Sequence, residues 1–248
     1  MKKYGLIGFP LTHSFSKKYF SEKFRKEGLR GCQYELYEIP NIQAFPALLA
    51  KEPDIIGLNV TIPYKQQVIP YLDRLETACR EIGAVNCIKV SPDELVGFNT
   101  DYIGFRTSLE NWVGKERPAA LVLGTGGASN AVAQALNDLN ISFFKVSRTS
   151  PPDSKSTLSY KELSPEIMAD YHLIINTTPL GTYPNTSESP PIPLEHIGSN
   201  HWFYDLVYNP EETSLMKEVS RRGAKTKNGI EMLHLQAEAA WEIWNAEE

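Results

Sequence analysis

No stretch of this 248-residue chain approaches the roughly 18 consecutive apolar residues that a membrane span requires. An integral membrane protein is therefore not expected. Cysteine is scarce: Cys32, Cys79 and Cys87 are odd in number and form no CxxC pair. That argues against a disulfide framework or a zinc site, and free thiols in a reducing cytoplasm are expected, with no metal. No block of lysine and arginine occurs, and the net charge of −5 argues against nucleic acid as a partner. No internal repeat is present, and Ser150–Ser159 is the nearest approach to low complexity, a polar loop. The opening MKKYGLIGFP imitates an export signal for two residues, but Pro10 ends its apolar run too soon, so it reads as a strand.

Hydrophobic content of 42% and charged content of 22% are ordinary for a globular protein. The length suffices for one large domain or two moderate ones. The organising stretch is Ala119–Ala131, AALVLGTGGASNA. Ala120–Leu123 has the length and flanks of a buried strand, and a helical pattern of small residues starts at once after Gly124-Thr125-Gly126-Gly127. Strand, glycine turn and helix place backbone N–H groups at a helix N-terminus, free of Cβ atoms, toward a pyrophosphate. Gly124, Thr125, Gly126, Gly127 and Ala128 are therefore candidate dinucleotide contacts. The fingerprint is imperfect, because its third glycine would fall on Ser129.

Before this turn the chain alternates: a strand at Tyr4–Phe9, a helix to about Gly28, a strand at Gln33–Ile39, a helix around Ile42–Lys51 and a strand at Ile55–Thr61. This is the rhythm of a mainly parallel sheet. Ser14 or Ser16 can cap the first helix, and the two hydroxyls flanking Phe15 also make a donor pair for a carboxylate. Lys65 falls just past a strand's carboxyl end, where ligands of open α/β sheets bind. A helix is expected at about Asp73–Ile82, then a hairpin (Ala84–Val90, Leu95–Phe98) that delivers Asn99-Thr100-Asp101. Thr100 and Asp101 also suit a helix cap.

After the turn, a strand at Ile141–Ser147 ends in Ser147-Arg148-Thr149, roughly twenty residues past the glycines. Sites preferring NAD place an acid there on the ribose 2′-hydroxyl. Here an arginine between two hydroxyl residues suits a 2′-phosphate instead; Lys155, in the polar loop, reads first as a solvated lysine and second as an assistant to it. Strands follow at His172–Thr177, Trp202–Val207 and Ala224–Lys227, with a helix at about Glu212–Arg222. The loop Asn176–Gly181 falls at the edge where a cofactor passes. The closing helix, Ile230–Asn245, carries Ile230, Leu233, Ala237, Trp241 and Trp244 as its expected buried stripe, with Gln236 on the flank.

Seven ordered motifs, GFPLTHSFS, NVTIPYK, GAVNC, GFNTDYIG, LGTGGASNA, NTTPLG and YDLVYNP, span nearly the whole chain. In these the sequence resembles the shikimate/quinate dehydrogenase family. The resemblance implies reversible NADPH-dependent reduction of 3-dehydroshikimate to shikimate, in the chorismate route to aromatic amino acids. It implies Lys65 and Asp101 as the reacting pair and Ser14 and Ser16 on the substrate carboxylate. Thr61, Asn86, Asp101, Tyr208 and Gln236 would contact the rest of the substrate. It extends the NADP site to Thr178, Leu206 and Gly229. The residue types suit the chemistry: a carbonyl accepting hydride needs a nearby cation and proton donor, which lysine supplies. Three positions depart from the family pattern: Lys17 for proline, Cys87 for threonine and Glu231 for glycine. Glu231 could reshape the nicotinamide edge.

The expected architecture is a two-domain α/β enzyme. A mainly parallel substrate domain comprises 1–100 plus 229–248, a Rossmann-like NADP domain comprises 101–228, and the substrate lies in the cleft between them. A monomer or homodimer in the cytoplasm is expected, with a small-molecule substrate and neither nucleic acid nor membrane as partner. An NAD-using quinate/shikimate enzyme and a catalytically silent nucleotide-binding paralogue are the alternatives. Retention of Lys65 and Asp101 speaks against the second.

Overall fold

The computed structural model describes residues 1–11, 14–149 and 156–246. Lys155 lies outside them. In chain order the elements are β1 Lys2–Gly8, α1 Phe15–Lys26, β2 Cys32–Glu38, α2 Phe45–Lys51, β3 Ile55–Val60, α3 Tyr64–Gln67, β4 Arg74–Leu75, α4 Thr77–Ile82, β5 Cys87–Val90 and β6 Leu95–Phe98. Then come α5 Thr100–Val113, β7 Ala120–Leu123, α6 Gly127–Asp138, β8 Phe143–Ser147, β9 Thr157–Ser159, α7 Pro165–Asp170, β10 Leu173–Asn176, β11 Trp202–Asp205, α8 Ser214–Arg221, β12 Lys225–Lys227 and α9 Ile230–Asn245. The chain forms two compact units, Met1–Thr100 with Gln236–Glu248, and Asp101–Leu235.

The sheet of the first unit has the order β2-β1-β3-β5-β6-β4. β1 pairs in parallel with β2 and β3, and β5 joins β3 and β6 in antiparallel fashion. The helix expected at Asp73–Ile82 is shorter, because Arg74–Leu75 instead pairs with β6 as an edge strand. Both faces of the sheet are covered. One carries Phe45, Leu58, Tyr64, Val68 and Ile88, and the other Tyr4, Phe20, Tyr34 and Trp244. Gly57 makes the second packing possible, since a Cβ there would collide with the Trp244 ring, whose Nε1 donates to the Ile88 carbonyl at 3.0 Å. The stripe of α9 also differs from expectation. Gln236, Ala237, Ala239, Ala240 and Trp244 are buried, Leu233 and Trp241 are half-buried and Ile230 is exposed. The small alanines let the helix press close, which draws the flanking Gln236 inside.

The sheet of the second unit has the order β12-β11-β10-β7-β8-β9, with every pair parallel. Counted from β7 this is 3-2-1-4-5-6, the doubly wound dinucleotide-binding order, and its strand order reverses between β7 and β10. β9 arises within the stretch read as a polar loop, where three residues pair with β8 on the sheet's edge. The strands β7 and β10 are wholly buried, which gives them continuous apolar runs. No described helix is long and apolar enough to cross a membrane.

Candidate functional site

In the second unit the glycine turn opens at the reversal between β7 and β10. Gly124 has φ +111°, a conformation that L side chains rarely adopt, and a Cβ there would lie 2.8 Å from Thr177 Oγ1. Gly126 caps α6 without a side chain, so the helix's first N–H groups have no side-chain acceptor at their end. Thr125, Gly126, Gly127 and Ala128 are exposed. A cavity of about 480 Å³ lies beside them, lined by Gly124, Thr125, Gly126, Ser147, Arg148 and Thr178 among others. Thr149 is exposed next to Arg148. Tyr160, which no sequence pattern singles out, also lines this cavity; burial raises its hydroxyl pKa while the nearby Arg148 lowers it. A bare helix N-terminus, a backbone cradle that a Cβ would fill and an exposed arginine fit a phosphorylated dinucleotide.

Leu206 and Gly229 do not line that cavity. They meet each other, because a Cβ on Gly229 would run into the Leu206 carbonyl, and the Gly229 N–H donates to the Val207 carbonyl at 3.1 Å. Tyr208 follows β11 and is 42% exposed.

The first unit carries a polar chain through its core. The fully buried Tyr34 hydroxyl donates to Asn59 Oδ1 at 2.8 Å and also meets Ser16. Asn59 Nδ2 donates to the Asn86 carbonyl at 3.4 Å. Asn86 Oδ1 accepts from the Thr100 N–H at 2.6 Å and the Thr100 hydroxyl at 3.2 Å, and that hydroxyl also reaches Gln236 Oε1 at 3.4 Å. Ser16, Asn86 and Gln236, far apart in sequence, are thus joined through Tyr34, Asn59 and Thr100. The sequence reading missed Tyr34 and Asn59; Asn59 had the signal of a polar group within an otherwise apolar strand, whereas Tyr34 sits in the polar strand Cys32–Glu38 and had none. Ser14 is the cap of α1, accepting from the Lys17 N–H at 3.2 Å. Ser16 is the second residue of α1.

Lys65 sits in the single turn α3, just past β3 and Thr61, whose N–H donates to the Ile7 carbonyl at 2.9 Å. Buried Tyr64 and Val68 anchor that turn. The Tyr64 hydroxyl donates to the Ile39 carbonyl at 2.6 Å, and the Lys65 carbonyl accepts from the Val85 N–H at 2.7 Å. Lys65 is half-buried on this fixed backbone. Asp101 stands in the first turn of α5, in the second unit.

The three departures are accommodated locally. Lys17 Nζ pairs with Glu35 at 2.9 Å, and Cys87 is fully buried, its thiol pKa pushed up by burial. The Glu231 carboxylate accepts from Ser108 Oγ at 3.1 Å and Asn111 Nδ2 at 2.9 Å, and pairs with Lys227. Burial raises the Glu231 pKa, but Lys227 and its other donors outweigh this and leave it below the usual range. Its side chain is 35% exposed, so Glu231→Gln should cost only about 0.5–1 kcal/mol. A carboxyl with a lowered folded-state pKa stabilises above its unfolded pKa and loses that contribution as pH falls through the folded one. The stability difference between wild type and Glu231→Gln in urea should therefore shrink toward acid pH. A difference that grows on acidification would contradict this account.

One buried carboxylate was not singled out in the sequence reading. Asp205, at the end of β11, is fully buried and accepts from Asn176 Nδ2 at 2.9 Å, the Val207 N–H at 3.1 Å and Thr213 Oγ1 at 2.8 Å. Burial raises its pKa, and these three donors act against that shift.

Known proteins resemble the chain over nearly its whole length. A family profile described as the shikimate dehydrogenase substrate binding domain matches residues 6–88. The chain is 35% identical to the shikimate dehydrogenase (NADP(+)) of Methanococcus vannielii, over 97% of this chain and 90% of that protein. It is 39% identical to the protein of the same name from Clostridium beijerinckii, over 98% and 92% respectively. Among solved structures, the shikimate 5-dehydrogenase of Thermus thermophilus in complex with NADP(H) and shikimate aligns with a TM-score of 0.85 at 30% identity, covering 99% of this chain and 94% of that one.

Proposed function

Because this chain belongs to the shikimate dehydrogenase family, we propose that it catalyses the reversible NADPH-dependent reduction of 3-dehydroshikimate to shikimate. The reaction lies in aromatic amino-acid biosynthesis, and the cytoplasm is its proposed compartment. The observation that carries this reading is likeness over nearly the full chain to enzymes of that one name. The alternatives, an NAD-using quinate enzyme and a silent paralogue, are less favoured.

NADPH supplies a hydride when bound; the residues supply the rest. The α6 N-terminus and the Gly124–Gly127 turn hold the pyrophosphate, Ser147, Arg148 and Thr149 take the 2′-phosphate, and Thr178, Leu206 and Gly229 border the remainder. Ser14 and Ser16 bind the substrate carboxylate. Thr61, Asn86, Tyr208 and Gln236 receive the ring hydroxyls and orient the ketone. Lys65 gives a proton to the ketone oxygen as charge develops on it, and Asp101 serves the same proton transfer while accepting a hydroxyl.

Crossing shikimate and quinate with NADP and NAD, read at the reduced-nicotinamide absorbance band, tests the assignment. Turnover of shikimate with NADP is the expected result, and no turnover with any combination would leave only the silent paralogue. Substrate orientation has its own test. Ser14 also caps α1, and glycine keeps most of a cap's stability, so Ser14→Gly isolates the lost hydroxyl. Ser14→Gly and Tyr208→Phe should each raise KM for shikimate roughly fivefold to tenfold, the worth of one hydrogen bond. NADP binding should stay near wild type. Unchanged KM in both would remove them from the substrate site.

A further inference from the structure

Asp205 is a fully buried carboxylate that takes no part in the proposed reaction. Each of its three neutral donors belongs to a different segment. Asn176 ends β10, Val207 opens the loop after β11, and Thr213 caps α8, its hydroxyl also accepting from the Met216 N–H at 3.2 Å. Asn176 passes the order onward. Its Oδ1 accepts from the Thr178 N–H at 3.0 Å and the Thr178 hydroxyl at 2.7 Å, and that hydroxyl accepts from the Leu180 N–H at 3.4 Å. Thr178 and Leu180 line the 480 Å³ cavity. On the other side the Leu206 N–H donates to the Asn176 carbonyl at 3.0 Å, and the Leu206 carbonyl bears directly on Gly229.

We propose that Asp205 is a positioning residue for the dinucleotide, clamping the loop after β10 and the loop after β11 into one rigid wall. The inference rests on the cofactor reading above, in which Thr178 and Leu206 border NADPH. Burying an ionised carboxylate is costly unless donors satisfy it. A carboxylate, with four acceptor sites and no proton to give, can take all three donors at once. Asparagine cannot. Its amide nitrogen would face either Asn176 Nδ2 and the Val207 N–H together or the Thr213 hydroxyl proton, and at least one tie would be lost or reversed.

The test is NADPH binding by fluorescence, without substrate, on variants whose folding is checked by near-ultraviolet circular dichroism. Asp205→Asn should bind NADPH about tenfold more weakly, the loss of one hydrogen bond to a charged group. Thr213→Val, which removes one donor at the wall's far side, should weaken it severalfold. Thr213→Ser, which keeps the hydroxyl, should bind as wild type does. A merely structural role would lower the unfolding temperature of Asp205→Asn and Thr213→Val and leave NADPH affinity unmoved, and that result would overturn the proposal. Should Asp205→Asn fail to fold, the Thr213→Val and Thr213→Ser pair decides by the same criterion. A wild-type chain that does not bind NADPH would instead overturn the cofactor reading, and this inference with it.

Discussion

Lys65→Ala should lose roughly 10²–10⁴-fold in turnover, about 3–5.5 kcal/mol of barrier, the usual worth of a positioned proton donor. The size follows from the reaction: hydride arriving at a ketone carbon leaves charge on oxygen, which must be met by a cation and quenched by a proton. Lys65, the proposed source of both, stands on a turn fixed by Tyr64, Val68 and the Val85 N–H. The substrate is held by other groups, so KM should change little. Lys65→Met preserves most of the stem and should fall as far as alanine, showing that the ammonium matters. Lys65→Arg keeps the charge but holds its proton too tightly to give it up, and should leave KM near wild type without restoring the rate. Asp101→Asn should also fall sharply. The double variant should be no worse than the poorer single one, because both serve one proton transfer. A Lys65→Ala protein that keeps more than about a tenth of wild-type turnover would refute this chemistry.

The second unit was the more legible in the sequence. β7 is the strand read at Ala120–Leu123, and the glycine turn opens α6 at Gly127. The reason is local: a fully buried strand reads as an unbroken apolar run, and a left-handed residue such as Gly124 restricts the choice of side chain. β4 and β9 were hidden because two or three residues paired on a sheet edge carry no period of their own, whereas the equally short β12 was marked out by Gly223 before it and Asn228-Gly229 after it. The structure of β4 and β9 comes from the neighbouring strand, not from propensity.

For the site, candidates were legible by residue type but not by connection. Ser16, Asn86 and Gln236 were named singly, whereas their link runs through Tyr34, Asn59 and Thr100. Such a chain assembles only when α1, β2, β3, the residue before β5, the start of α5 and α9 meet, so no window of sequence contains it. The Gln236 burial has the same origin. A helical wheel places it on the flank, and only the width of the alanine face decides that the flank is covered. Asp205 lies inside the motif YDLVYNP, yet its charge is sequestered by donors from three segments that the sequence scatters.

Replacing Arg148 should separate the two nicotinamide dinucleotides. The 2′-phosphate is the only group by which NADP differs from NAD, so a residue that reads it must discriminate by that contact alone. Arg148 follows β8 at the position where an acid would face a bare ribose hydroxyl, and it lines the cavity beside the glycine turn. A charge-assisted contact of this kind is worth on the order of 1.5–3 kcal/mol. That corresponds to roughly tenfold to hundredfold in affinity. Arg148→Ala should lose that factor for NADP and almost nothing for NAD. Arg148→Asp should go further, since it adds repulsion toward phosphate and offers an acceptor to a ribose hydroxyl, so its NAD affinity should hold or rise. Arg148 is exposed, so the fold should tolerate either change, and added salt should narrow the preference by screening the contact. Dissociation constants for both cofactors in all three proteins check this. Equal losses for NADP and NAD would mean that Arg148 does not read the phosphate.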